Sequence, residues 1–118
     1  MRKSSSASVK VFSLDRDKAV EAVRTAMQAV KQRCPEIDRV ILFGSLARGN
    51  AVPGSDADVL VVLHHTDSPY HERFVRYMPH GVAMDVDVFA YTHSELEEMR
   101  RSGNRFAARA LQDGIDLL

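Results

Sequence analysis

The chain has no tryptophan, a single cysteine, four prolines and no net charge in its 118 residues. Each scarcity removes a class of protein. Cys34 has no internal partner, so the chain is not a disulfide scaffold and suits a reducing compartment. Lys plus Arg number 16 and Asp plus Glu number 16. That balance leaves no basic surplus to neutralise a phosphate backbone, and nucleic acid is not expected as a direct partner. The longest apolar runs, 40–43 and 59–63, fall far short of the roughly 20 residues that a membrane span needs. Residues 1–8 hold serines and two basic side chains without an apolar stretch, so they read as a frayed terminus rather than a signal peptide. The expected location is the cytoplasm. What is present is 45% hydrophobic and 27% charged, an ordinary globular composition with enough chain for one domain over 9–118.

Periodicity divides that domain. Ala19, Val20, Ala22, Val23, Ala26, Met27 and Val30 recur at spacings of three and four, which predicts an amphipathic helix over 14–33. Asp15 and Asp17 suit its positive N-terminal end, and Pro35 stops it. Residues 40–43 predict a buried strand ending at Gly44, and 58–63 a second one after a loop containing Pro53 and Gly54. Between them 45–48 reads as one helical turn closed by Gly49. A short helix is expected over 70–78. Gly81 is expected to open a third strand over 82–91, with Val86, Val88 and Ala90 on one face and Asp85, Asp87, Phe89 and Tyr91 on the other. Thr92 and Glu95 fit a capping box for a helix over 94–101. A helix over 105–112 and an edge segment at 115–118 finish the chain.

The chemistry concentrates between residues 44 and 61. Aspartates two apart at the head of a strand project to one side, so Asp56 and Asp58 suit a hard divalent cation. Magnesium takes few protein carboxylates and completes its shell with water and substrate phosphates, so such a pair implies a phosphate-bearing substrate. Gly44 lets backbone approach a phosphate closely, while Ser45 adds a hydroxyl and opens a helical turn whose free N–H groups favour negative charge. If the third strand lies beside the second, Asp87 or Asp85 supplies a third carboxylate, enough for two metal ions. Three carboxylates and a phosphate cradle suit phosphoryl or nucleotidyl transfer.

Gly44-Ser45, ten residues, then Asp56-Ala57-Asp58 resembles the signature of the DNA polymerase beta-like nucleotidyltransferase superfamily. With Ala47-Arg48-Gly49 and Ser55 added, the string is similar to the minimal nucleotidyltransferases, including the antitoxins paired with HEPN toxins. The resemblance implies an α/β (α+β) fold, a small mixed β-sheet flanked by helices. It implies a magnesium-dependent enzyme that transfers AMP from ATP to an acceptor hydroxyl and releases pyrophosphate. Asp56, Asp58 and Asp87 then correspond to the catalytic, metal-holding carboxylates, with Asp87 also a possible general base. Gly44 and Ser45 correspond to the phosphate contacts, and Arg48 is a further nucleotide contact. In the antitoxin branch the acceptor is a tyrosine of the toxin. That branch suits a chain with little room for an acceptor-binding domain, so a HEPN-type partner is expected. The alternatives are an aminoglycoside-type small-molecule transferase, with a pocket completed by a second domain or a second copy of the chain, and a non-catalytic nucleotide- or partner-binding module.

Other residues have simpler readings. Glu95 is expected to cap a helix rather than act as a base. His64 and His65, as neighbours, diverge and lack a metal-ligand spacing partner. Cys34 reads as a helix-end packing residue. Arg100, Arg101, Arg105 and Arg109 read as a solvated helix face.

Overall fold

The computed structural model describes residues 15–118, so the frayed terminus expected at 1–8 lies outside the described residues. Helix α1 (Arg16–Arg33) begins where Asp15 accepts a hydrogen bond from the Lys18 N–H, which satisfies one of its orphan donors. It leads to strand β1 (Ile37–Phe43), the one-turn helix α2 (Gly44–Arg48) and strand β2 (Ala57–Leu63). Helix α3 (Tyr70–Arg76) crosses to strand β3 (Val86–Thr92), followed by α4 (His93–Arg101), α5 (Phe106–Gln112) and a two-residue strand β4 (Ile115–Asp116). The sheet order is β3-β2-β1-β4, antiparallel except for the parallel pair β2–β3. This is the expected mixed sheet flanked by helices.

Strand β2 is central, and its run Val59-Leu60-Val61-Val62-Leu63 is buried throughout because both sheet faces are covered. Val20, Val23, Met27 and Val30 of α1 pack on the face that carries Val40, Leu42, Val59 and Val61. Ala110, Phe106 and Leu96 cover the other face over Ile41, Leu60 and Val62. On this second face Phe43, Phe89 and Phe106 form an aromatic trio with ring centroids 5.3 to 5.7 Å apart. Alternation along the strands assigns Phe43, Asp58 and Asp87 to that same face. Cys34 is buried at the end of α1, as expected of a packing residue.

The third strand is shorter than expected. Residues 82–85 are irregular, with a bend at 83–84, and regular pairing starts at Val86. Val82 and Met84 still pack against the core, so their alternation imitates a strand without the pairing of one. Asp85 therefore precedes β3, although its carbonyl accepts a 2.9 Å hydrogen bond from the Ala57 N–H.

The capping box is present, with the Thr92 hydroxyl accepting from the Glu95 N–H and the Glu95 carboxylate accepting from the Thr92 N–H. Glu95 also takes a bidentate ion pair from Arg73, at 2.7 and 3.0 Å, whose guanidinium is buried beneath the sheet edge. That hydrogen bonding holds the Glu95 carboxyl below its ordinary range. A depressed carboxylate stabilises the fold above its unfolded pKa and stops doing so as acid protonates it at the lower folded value. The Glu95→Gln variant should therefore be less stable at neutral pH by about 1–3 kcal/mol, since a buried guanidinium loses its charged acceptor. Its stability should also fall less steeply between pH 5 and pH 3 than that of the wild type. Urea unfolding at several pH values checks both.

Candidate active site

Strand β1 ends at Phe43, and Gly44 turns the chain with φ +77°, a left-handed conformation in which other residues are strained. The space is as restrictive as the angle. A Cβ on Gly44 would lie 2.3 Å from Asp58 Oδ2. Asp58 is the cross-strand partner of Phe43, and on its other side it is in register with Asp87 of β3. The register thus lines up the Gly-Ser turn, Asp58 and Asp87 across the same end of the sheet. Asp56, just before β2, lines the same small cavity as Asp87. In the loop ahead of it, the Ser55 hydroxyl accepts from the Val52 N–H, which closes the turn that delivers Asp56.

The carboxylates repel one another. Burial pushes the Asp58 carboxyl up, the charges of Asp87 and Asp56 push it further, and Arg48 opposes them. Asp87 is raised by burial, then by the charge and hydrogen bond of Asp56 and the charge of Asp85. This donor set fits a hard divalent cation: its atoms are carboxylate oxygens, and they are gathered at a cost that positive charge removes.

Two cavities adjoin this line of aspartates. The larger, about 790 Å³, is lined by Gly44, Ser45, Arg48 and Asp58 and by Arg105 and Arg109 of the α5 region. The smaller, about 450 Å³, holds Asp56, Asp85 and Asp87. Every expected site residue thus borders one of the two cavities. All four arginines are exposed, as expected; Arg100 and Arg101 pair with Glu97 and Glu98, whereas Arg105 and Arg109 also line the cavity. Their four-residue spacing beside Phe106, which packs edge-on to Phe43, is the sequence signal for this.

Arg16 braces the turn from behind. Its Nε donates to the Leu46 carbonyl at 3.0 Å and an Nη donates to the Ala47 carbonyl at 2.7 Å. These bonds satisfy C-terminal carbonyls of α2 and tie it to α1. Arg16→Met should cost about 1 kcal/mol of stability and raise KM for the nucleotide more than it lowers kcat, because it loosens the turn without touching the carboxylates. Steady-state kinetics beside a melt tests this.

A glycine-serine turn set against strand-borne aspartates on a small mixed sheet is the ground plan of a nucleotidyltransferase. The chain belongs to the nucleotidyltransferase domain family, which it matches over residues 23–115. Its fold is shared with a proposed nucleotidyltransferase from Sulfolobus solfataricus, at 20% identity and a TM-score of 0.60 over 98% of this chain and 89% of that one. A toxin–antitoxin crystal structure with AMP-PNP is less similar, at 18% identity and a TM-score of 0.48 over 89% of this chain and 73% of that one. No curated protein sequence matches the chain. Among the described residues no helix is long and apolar enough to cross a membrane.

Proposed function

We propose that this nucleotidyltransferase transfers AMP from ATP to an acceptor hydroxyl, a tyrosine of a partner HEPN-type toxin, and so acts as an antitoxin. The observation that carries the transfer reading is the alignment of the Gly44 turn, Asp58 and Asp87 along one end of the sheet. The choice of acceptor rests on the Gly-Ser to Asp-x-Asp string and its resemblance to the antitoxin branch.

In this reading Asp56, Asp58 and Asp87 hold two magnesium ions. Bound there, magnesium would neutralise the triphosphate and lower the pKa of the attacking hydroxyl. The chain's own residues do the rest. Ser45 donates its hydroxyl to a phosphate oxygen, and Gly44 keeps that approach free of side-chain bulk. Among the described residues no side chain caps the N-terminus of α2, which leaves its first N–H groups for the same oxygens. Arg48, Arg105 and Arg109, which line the same cavity, supply positive charge for the triphosphate and the departing pyrophosphate. The acceptor oxygen forms a bond to the α-phosphorus as the bond to the β-phosphate bridging oxygen breaks, and Asp87 takes the hydroxyl proton. The reaction is assigned to the single domain over 9–118 and to the cytoplasm, where ATP is available.

The test uses ATP labelled at the α-phosphate, with magnesium, the purified chain and a lysate of its source organism, wild type beside Asp56→Asn/Asp58→Asn. Label on one protein band with the wild type alone supports the reading, and peptide mapping of that band to a tyrosine completes it. Label on a small molecule instead would replace the toxin with an antibiotic-type acceptor. No transfer to any acceptor would reduce the chain to a binding module.

A further inference from the structure

Away from the aspartate line, Asp38, His64 and His93 each offer one ligand atom, and the three atoms lie within 4.8 Å of one another. His93 Nε2 is 2.8 Å from Asp38 Oδ2, and His64 Nε2 is 3.4 Å from Asp38 Oδ1. Each carboxylate oxygen thus faces a different imidazole. We infer that these residues form a zinc-class transition-metal site, separate from the nucleotidyl-transfer site.

Three features make this more than chance proximity. The β1–β2 register shifts between Ile37 and Arg39, which places Asp38 at a bulge, the device by which a strand gives up regular pairing to re-aim a side chain. The backbones of both histidines are fixed as well. The His64 N–H donates to the Glu36 carbonyl at 2.9 Å. His93 opens α4 directly after the capping-box residue Thr92, with Glu95 clamped by Arg73. Finally, the ligands come from β1, the residue after β2 and the first turn of α4, so one ion would staple three elements at one end of the sheet.

The donor set selects the ion. Two imidazole nitrogens and one carboxylate oxygen suit zinc and its neighbours in the transition series, whereas magnesium and calcium prefer oxygen alone. All three side chains are partly exposed, so a fourth position remains for water or a ligand from another molecule. Asp58 lies near the start of β2 and His64 just beyond its end, which separates the two sites by roughly 20 Å of strand.

The experiment titrates the tag-free full chain with Zn²⁺ by calorimetry and with Co²⁺ by visible absorption. Three proteins are compared: wild type, His64→Gln/His93→Gln and Asp56→Asn/Asp58→Asn. The expected result is one ion per chain in the wild type and in the aspartate variant, with affinity at least about 100-fold weaker in the histidine variant. In imidazole NMR spectra, stoichiometric zinc should move His64 and His93 and leave His65, His71 and His80 in place. Zinc at a hundredfold excess over Kd should raise Tm by about 5 °C or more in the wild type and not in the histidine variant. Absence of zinc binding in the wild type, equal binding by the histidine variant, or loss of binding in the aspartate variant would each overturn the site. Failure of AMP transfer would leave it untouched, because the aspartate variant tests it without the other chemistry.

Discussion

Asp58→Asn should lower nucleotidyl transfer at least about 10³-fold, roughly 4 kcal/mol of transition-state stabilisation, while raising the melting temperature measured without metal. The two halves have one cause. Asp58 is desolvated and faces the charges of Asp87 and Asp56, so its ionised form is unfavourable in the fold and its carboxyl is pushed up. A group with a raised acidic pKa withdraws stability as pH climbs above its unfolded value. The gain from the asparagine should therefore grow from pH 4 to pH 7. Asparagine keeps the shape, removes the repulsion and also removes the charge that would hold a divalent cation. Adding magnesium should stabilise the wild type more than the variant, which reverses part of the difference. Activity assays with melts at several pH values, with and without magnesium, test the coupling. An inactive variant that melts below the wild type at every pH would mean that Asp58 is needed for packing rather than held against its own repulsion.

Gly44→Ala is the second large effect, and it separates two costs of a side chain. Alanine at φ +77° pays about 1–2 kcal/mol for the left-handed backbone, which for a chain of this size lowers Tm by about 4–10 °C. The new methyl also meets Asp58 Oδ2 at 2.3 Å and must displace that carboxylate or the turn itself. A displacement of this size in a reacting centre lowers turnover by about 10²-fold. Gly54→Ala is the control, because Gly54 has φ +92° with nothing among the described residues within 4 Å of an added Cβ. It should lose comparable backbone stability and keep its activity. Equal activity loss in both variants would show that general loosening, rather than the Gly44–Asp58 contact, governs the rate.

Much of the layout of the candidate site was legible because its parts are close in sequence. Gly44, Ser45, Asp56 and Asp58 span fifteen residues with a strand on each side, and the motif fixes their relation before any long-range contact is known. Helix α1, strands β1 and β2, the Thr92–Glu95 box and the side of β3 that carries Asp87 were legible for the same reason of strong local period. What stayed hidden depended on contacts across long separations. Arg73 has the look of a surface arginine on a short helix, and only the folded chain shows it buried against the Ala90 carbonyl and Glu95. Arg105 and Arg109 follow the same helical period as a solvated face, and their direction is set by where Phe106 finds Phe43. Asp38 and His93 are separated by 55 positions, and no spacing rule joins them; the sheet order and the bulge do. The early start expected for β3 failed because Val82 and Met84 alternate like a strand while only packing like one.

The parallel pairing of β2 with β3 has a consequence for synthesis. An emerging chain that has reached Leu63 contains the β1–β2 hairpin, the Gly44–Ser45 turn and two of the three aspartates. Asp87 joins only after a further crossover has been made and folded back alongside β2. A half-made protein therefore carries the Gly44–Ser45 turn, Asp56 and Asp58 without Asp87, and the candidate site is completed in one late, non-local closure. Ribosome-bound intermediates stalled before residue 87 should be silent, and the nascent chain should gain both protease resistance along β2 and nucleotide affinity when the third strand clears the exit tunnel.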